Sequence, residues 1–518
     1  MSGIRKVGIV VGEASPTEFL FVTEEKLPRW EYVLVRSIED IDGNDVEVNV
    51  IAQVEKVISV SLALKDSLAL DSVERILEAG LVDRRVIATA RVLGFMYGGV
   101  VYQPRRAIHP GGEVYLAPES ILREFYSHSE EEGLHIGYLI TRPTIPVSVS
   151  VKGFRRHLAI LAQTGAGKSY TAGVLMEELY KKGATIVVID PHADYVFLSR
   201  RRDGTRLSRV SVFRTPESTG RYSEEQVGRI TNYEIKFSDL TVEEIAFICN
   251  ISDRWTNILK ALRDTINSLG DDYTVDDLLQ ALASSGSGDA LRAYNYVVRL
   301  KNLRVFGPAT TDINRLLRPK HIAVVDLSGL EDRVADYVTY RILSAIYEQV
   351  EAQRYRYPVF VFIEEAHKFI PNEGNTYSKN IIKKIAAEGR KFGVFLTLIS
   401  QRPYKIDPDA LSQCNSQIIM RMTNPEDQSA VRKSSERMSE NLLRDLPGLN
   451  VGEAIIVGEI TRIPVMVRIR ARETEEGGAD IDIVEKLREA SSEADSERSR
   501  QEELIDEFRA IRNMVEGV

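Results

Sequence analysis

The residues best suited to chemistry lie in the run Ala162–Ser169, which reads Ala-Gln-Thr-Gly-Ala-Gly-Lys-Ser. Its two glycines let the backbone curl so that N–H groups point at phosphate oxygens. Lys168 is expected to reach the β- and γ-phosphates, and the Ser169 hydroxyl to bind magnesium. The run departs from the pattern GxxxxGK[ST] at Ala162, where the first glycine is replaced. A glycine-rich turn with a solvated lysine is the bland alternative. The pattern predicts an ATP site formed by Gln163, Thr164, Gly165, Ala166, Gly167, Lys168, Ser169 and Tyr170.

A pair of glutamates supplies the second chemical signal. The apolar run Val359–Ile363 ends in Glu364 and Glu365. Glu364 stands where such ATPases usually have aspartate, and we expect it to hold Mg²⁺ directly or through water. Glu365 is expected to polarise the attacking water, because hydrolysis needs an oriented nucleophile as well as neutralised phosphate charge. The alternative is an exposed helix start with glutamates in its first turn.

Two further strand ends carry polar residues. Gln401 follows the apolar run Val394–Ile399 and is a candidate sensor of the γ-phosphate, although an ordinary strand-end loop stays open. The run Asp190–Tyr195 ends the strand after the phosphate-loop helix, at the sheet edge where open α/β sheets bind ligands. Its His192 has no partners at metal-ligand spacing, which favours a structural role.

Two arginines are candidates for a catalytic role between subunits. Ring-forming P-loop ATPases often receive an arginine from the neighbouring subunit at the γ-phosphate. Arg390 lies on a predicted helix just before the strand that leads to Gln401, and Arg156 lies just before the phosphate-loop strand. Because surface arginines are common, the alternative that both are ordinary surface residues without a catalytic role stays open.

The elements that must position these residues follow a strand–helix–strand order. His157–Leu161, Thr185–Ile189 and His321–Val325 are apolar runs separated by helical patterns, which predicts a parallel sheet. The α/β pattern then continues to about residue 470. The sequence therefore predicts a RecA-like α/β P-loop core. Short Val- and Ile-rich runs before residue 105 predict a small N-terminal β-barrel.

Composition shifts suggest five segments. They are a barrel at 1–140 that we expect to dock a partner, a first core part at 141–222, a helical insertion at 223–318, a second core part at 319–472 and an acidic, helical extension at 473–518. The capping pattern Thr241–Glu244 supports the insertion's helices.

Charge and composition bound the function without fixing it. The net charge of −9 resides in the tail, where residues 473–518 carry 15 acidic and 6 basic side chains, so the rest of the chain is neutral. DNA binding is neither supported nor excluded, because it depends on local clusters. Cys249 and Cys414 are far apart, which predicts core thiols rather than a zinc site or disulfide. No membrane span or secretory signal is read, so we expect a cytoplasmic protein.

These motifs together resemble the HerA family of archaeal DNA translocases, in the wider HerA–FtsK group. The resemblance is carried by LAQTGAGKS at 161–169, DPHADY at 190–195, FIEEAHKF at 362–369, EGRKFG at 388–393, ISQRP at 399–403 and TNPEDQ at 423–428. It covers nearly the whole chain, although the barrel and the tail match by position and type rather than by motif.

The resemblance implies a homohexameric ring that pumps double-stranded DNA and works at DNA ends with a NurA-type nuclease in recombination repair. ATP and Mg²⁺ would be its substrate and metal. Two alternatives stay open: a related motor for another cargo, as in type IV secretion, and a nucleotide-dependent switch or scaffold. The presence of Glu365 argues against the switch. Stimulation of the ATPase by linear duplex DNA would separate the translocase from both.

Overall fold

The chain begins with a closed barrel. The computed structural model describes residues 4–435, 438–477 and 483–516. The barrel strands pair in the order β2-β1-β7-β3-β4-β5, and pairing of β2 with β5 closes the ring, which confirms the predicted barrel. A further short strand, β6, pairs only with β5 in the described chain. The strands are β1 Lys6–Ala14, β2 Glu18–Thr23, β3 Tyr32–Ile41, β4 Asn44–Val60, β5 Arg85–Tyr97, β6 Val100–Tyr102 and β7 Glu113–Leu116.

Strand β3 joins the barrel to the rest of the molecule. Its alternating side chains point to opposite faces. Val33 and Val35 pack inside the barrel, whereas Tyr32 and Leu34 pack into a hydrophobic cluster shared with the core domain. Helix α1 (Leu70–Glu78) is different, because none of its residues is buried.

The connector after the barrel contributes to the core. It contains α2 (Glu119–Tyr126), β8 (Gly133–Leu139) and β9 (Pro146–Ser150). Strand β8 pairs antiparallel with a core strand near the C-terminus, Val465–Ile469. This pairing favours a barrel–core boundary before residue 133 over the boundary at residue 140.

The core is one large sheet with the order β13-β12-β16-β11-β17-β18-β10-β19-β20-β21-β8-β9 among the described residues. The pairs from β13 to β19 are parallel, and those from β19 to β9 are antiparallel. Its other strands are β10 Leu158–Leu161, β11 Thr185–Asp190, β12 Val210–Arg214, β13 Arg229–Asn232, β16 His321–Asp326, β17 Val359–Ile363, β18 Val394–Ser400, β19 Ser416–Met420, β20 Glu453–Val457 and β21 Val465–Ile469. The predicted α/β sheet is therefore confirmed.

Continuous apolar runs in these strands reflect burial on both faces, which is usual for parallel sheets. In β10, Leu158 and Ile160 belong to one hydrophobic cluster, whereas Ala159 and Leu161 belong to the other. Helices cover the sheet on either side: α3 Lys168–Lys181, α4 Glu224–Val227, α9 Asp332–Glu351, α10 Lys379–Phe392, α11 Pro408–Gln413, α12 Pro425–Ser434 and α13 Glu440–Asp445.

The helical insertion contains α5 Val242–Ile248, α6 Thr256–Ser268, α7 Val275–Ser284 and α8 Gly288–Val297, with the small pair β14 Ile235–Lys236 and β15 Phe306–Gly307. The Thr241–Glu244 capping box is present, so this local prediction is confirmed. A similar box begins α7 at Thr274.

The C-terminal helix α14 (Ile483–Glu516) lies within the predicted acidic, helical extension. Cys249 and Cys414 are buried free thiols, as predicted, and burial raises the pKa of each to about 12. Among the helices in the described ranges, none combines the length and apolarity needed to cross a bilayer.

Candidate active site

The phosphate loop, residues 162–169, joins β10 to α3 at the carboxyl edge of the sheet. Gly165 and Gly167 adopt φ of +74° and +103°, in the region that residues with a Cβ rarely enter. A Cβ at Gly167 would also lie 3.2 Å from Met420 Cε. Helix α3 begins at Lys168, so its free N–H groups and positive dipole end face the loop. The predicted strand–loop–helix setting of an anion site is present.

Lys168 connects the loop to the glutamate pair. Its Nζ donates to Glu364 Oε1 and, at 3.2 Å, to Glu365 Oε1. Burial lowers the pKa of Lys168, but the two carboxylates outweigh that effect and raise it. The ammonium therefore stays charged in a place where little water competes for it.

Glu364 is almost completely buried, with 1% of its side chain exposed. The hydroxyl of Tyr195 donates to its Oε2 at 2.5 Å, and Lys168 occupies its Oε1. Burial raises the pKa of Glu364 despite the neighbouring ammonium. Because both oxygens already accept hydrogen bonds, Glu364 fits a contact to Mg²⁺ through water better than a direct one.

Glu365 lies in a different environment from its neighbour. Its backbone is left-handed, with φ of +48°, which is strained for a residue with a Cβ. Its Oε2 lies 3.2 Å from His367 Nδ1, yet this buried oxygen accepts no hydrogen bond from any described residue. Burial raises the pKa of Glu365, but His367 and Lys168 outweigh it and lower the pKa to about 2. Glu365 is thus an ionised carboxylate, as a water-orienting residue requires.

Gln401, the predicted sensor of the γ-phosphate, lies beside the phosphate loop. Strand β18 pairs with β10 in parallel, so both strands end at the same edge. There Thr164 Oγ1 donates to Gln401 Oε1. The structure therefore brings Gln401 to the phosphate loop.

The residues 190–195 form a turn beside Ser169. Asp190 accepts the backbone N–H groups of Asp194 and Tyr195 at 3.0 and 2.9 Å, which holds the turn in shape. Ser169 Oγ donates to Asp194 Oδ2 at 3.4 Å. A hydroxyl, a carboxylate and the indirect Glu364 are hard oxygen donors of the kind that Mg²⁺ uses together with substrate phosphates, so these residues fit the metal. His192 is exposed beside them.

Sequence reasoning missed three members of this site. Asp194 and Tyr195 belong to the run Asp190–Tyr195, but their contacts with Ser169 of α3 and Glu364 after β17 join separate parts of the chain and leave no local signal. His367 could have been found from the Glu-Glu-Ala-His spacing, because a histidine two residues after the second glutamate stays at the same strand end.

The two candidate arginines lie elsewhere. Arg156 precedes β10, and Arg390 lies near the end of α10, just before β18 begins. Both positions are at the edge of the sheet opposite the phosphate loop. Arg390 is exposed, and Arg156 Nε pairs with Glu459 Oε1 at 3.2 Å. The structure does not bring either arginine to the phosphate loop of the same chain.

Comparison with known proteins gives a consistent set of matches. The family described as "Helicase HerA, central domain" matches residues 134–346. The DNA double-strand break repair helicase HerA of Pyrococcus furiosus is 31% identical over 93% of this chain and 96% of its own. The probable DNA double-strand break repair helicase HerA of Methanocaldococcus jannaschii is 30% identical over 92% and 97%. Among solved structures, VirB4 of Thermoanaerobacter pseudethanolicus is similar at 18% identity and a TM-score of 0.49, over 67% of this chain and 98% of its own. A structural likeness of this degree does not transfer a function.

Proposed function

The chain belongs to the HerA family of helicases, and from that membership we propose that it uses ATP to move double-stranded DNA through a hexameric ring. It is an ATPase of the P-loop type, in a family whose members are named as DNA repair helicases. In the full proposal it acts at DNA ends with a NurA-type nuclease in end resection for homologous recombination.

One observation carries the ATPase part of the proposal: Lys168 of the phosphate loop contacts two adjacent glutamates whose other partners differ. Glu365 has its second oxygen beside His367, whereas Glu364 is engaged by Lys168 and Tyr195. An ATP-driven motor needs one carboxylate to orient the attacking water and another to help hold the metal ion and the phosphates.

Each residue of the site has a separate role in ATP hydrolysis. Lys168 neutralises charge on the β- and γ-phosphates, and the backbone N–H groups of the phosphate loop bind their oxygens. Glu365 accepts a hydrogen bond from the attacking water and orients it toward the γ-phosphorus. Gln401, beside Thr164, contacts the γ-phosphate. Bound Mg²⁺, near Ser169, would neutralise phosphate charge.

Assembly into a ring would complete the site. The exposed Arg390 lies at the opposite sheet edge from the chain's own phosphate loop, so it could meet only a neighbour's nucleotide. Arg156 is the second candidate at that edge. An arginine supplied from another subunit links hydrolysis to the state of the ring.

The deciding experiment measures ATPase with linear duplex DNA, closed circular DNA and no DNA. The translocase proposal expects stimulation by linear duplex, abolished in Lys168→Ala, and rings of six subunits by electron microscopy. ATPase that ignores every form of DNA would instead favour a motor for another cargo. Tight ATP binding without turnover would favour a switch.

The barrel supports a docking role in this proposal. Helix α1 and its flanks expose large apolar side chains, including Leu70 at 71% and Leu81 at 68%. Apolar patches of this kind are typical of protein-binding surfaces. The barrel has its own closed core, and the motor residues lie outside it.

The docking role can be tested in the full chain. Because Trp30 Nε1 donates to Asp445 at 2.9 Å, deleting the barrel would also disturb the core. Leu70→Glu combined with Leu81→Glu should abolish nuclease capture in a size-exclusion run while ATPase and ring assembly persist. Leu291→Glu, at an exposed leucine of the insertion, is the matched control. Unchanged nuclease binding by the double variant would argue against this surface.

A further inference from the structure

A short loop that contacts the phosphate loop has no part in the chemistry described so far. Residues 449–452 precede β20 and lie against the phosphate loop. Gly452 N donates to Ala166 O at 3.1 Å, and Gly452 O accepts from Ile469 N at 2.9 Å. Asn450 donates twice to Glu453 Oε2, at 2.9 and 3.0 Å. The loop is therefore fixed in place from both sides.

The strand order defines which part of a nucleotide would meet this loop. Gln401 follows β18, which lies on one side of β10. Gly452 precedes β20, which lies on the other side of β10, beyond β19. A triphosphate whose γ-phosphate lies at Lys168 and Gln401 must extend its ribose and base away from β18. The base consequently points toward β19 and β20.

Two side chains adjoin the phosphate loop there, because Val451 precedes Gly452 and Tyr170 follows Ser169. Val451 is 62% exposed although both of its neighbours are held by hydrogen bonds. Tyr170, one residue after the phosphate loop, is half-buried, and its hydroxyl accepts the N–H of Arg472 at 2.6 Å. Arg202 lies over one face of the Tyr170 ring, 5.8 Å from its centroid. The rest of that ring and the Val451 side chain offer contact surfaces to a flat heterocycle, which has apolar faces.

We propose that Val451 and Tyr170 form the subsite for the nucleotide base, with Val451 packing against the face of the ring. This proposal rests on the ATPase function proposed above. The Asn450 amide is already bonded to Glu453, so the contact is apolar and does not depend on the exocyclic groups of the base. Val451 would therefore contribute affinity for ATP and GTP alike.

Calorimetric titration of the full-length protein with Mg-ATP, Mg-GTP and magnesium tripolyphosphate tests the assignment. Val451→Ser should weaken binding of both nucleotides by about tenfold, the value of burying most of one valine side chain. Tripolyphosphate has no base, and its affinity should not change. Val451→Leu should bind ATP like the wild type. Val100→Ser, at a 53% exposed valine of the barrel, is the control for losing a surface valine.

The outcomes separate the two proposals. If Val451→Ser binds ATP as tightly as the wild type, the base subsite is wrong and the ATPase proposal stands. If tripolyphosphate binding weakens by the same factor as ATP binding, Val451 acts through the phosphate loop and the subsite is again wrong. Wild-type protein that binds tripolyphosphate but no nucleotide would overturn both.

Discussion

The two edges of the core sheet carry candidate functional residues of opposite character. At the carboxyl edge, Lys168, Glu364 and Glu365 are buried and already in contact with one another. At the other edge, Arg390 is exposed, and Arg156 forms an ion pair with Glu459 on the surface. Exposed ion pairs of that kind contribute little to stability. The first edge can be understood from one chain, whereas the second has a catalytic meaning only if another chain meets it.

This contrast teaches where chemical function can be located within a single subunit. Parallel strands bring their ends to one edge, so residues distant in sequence assemble there without a partner. The helix α10 returns the chain to the opposite edge before β18, and Arg390 is carried with it. Substitutions at the two edges should therefore differ in whether a second subunit can compensate for them.

Arg390→Ala gives the largest expected effect and tests the contrast directly. Turnover should fall by about 10³-fold or more, because a trans arginine acts on transition-state charge, while ATP binding and assembly persist. Mixing Arg390→Ala with Lys168→Ala subunits should restore part of the ATPase, since some interfaces then join an intact loop to an intact arginine. Absence of rescue, with subunit exchange verified, would mean that Arg390 does not act between subunits. Arg156→Ala in the same assay ranks the two arginines.

Glu365→Gln should have the next largest effect, confined to its own site. Replacing the carboxylate by an amide removes the ionised acceptor, so turnover should fall by about 10²–10⁴-fold. ATP affinity should remain near that of the wild type, because Lys168 keeps Glu364 as a partner. Single-turnover hydrolysis and equilibrium binding measure the two quantities. Hydrolysis at the wild-type rate would mean that Glu365 does not orient the attacking water.

Local sequence patterns account for much of the phosphate-loop edge of the sheet. Apolar runs and a glycine-rich loop are local patterns, and parallel pairing then dictates that Gln401 and Glu365 lie near Lys168. The pairing of β8 with β21 joins residues that are far apart in the chain, and residues 106–150 have no strong periodicity, so this part of the sheet was not predicted. Contacts such as Ser169 with Asp194 depend on turn geometry that only the structure reveals.

Substitution of His157 should have the smallest effect. It tests what stabilises the sheet edge at which Arg156 and Arg390 lie. It is buried between Arg156 and β10 with a left-handed backbone. Its Nδ1 accepts the N–H of Leu396 at 2.9 Å, and its Nε2 lies 3.0 Å from Ala386 O, which fixes a neutral tautomer that ties β10 to β18 and α10. Burial lowers the pKa of His157 to about 4, against the effect of the backbone contacts.

The sign of the pH effect follows from that pKa. The unfolded chain takes up a proton near pH 6.5, whereas the folded chain resists it until about pH 4. Stability from this residue is therefore complete above pH 6.5 and is lost as the pH falls toward 4, by up to about 3 kcal/mol. Thermal melts at pH 7.5 and pH 5 should show a larger drop in Tm for the wild type than for His157→Gln. His192→Gln, at an exposed histidine, should match the wild type. Equal drops for the wild type and His157→Gln would mean that His157 does not stay neutral on folding.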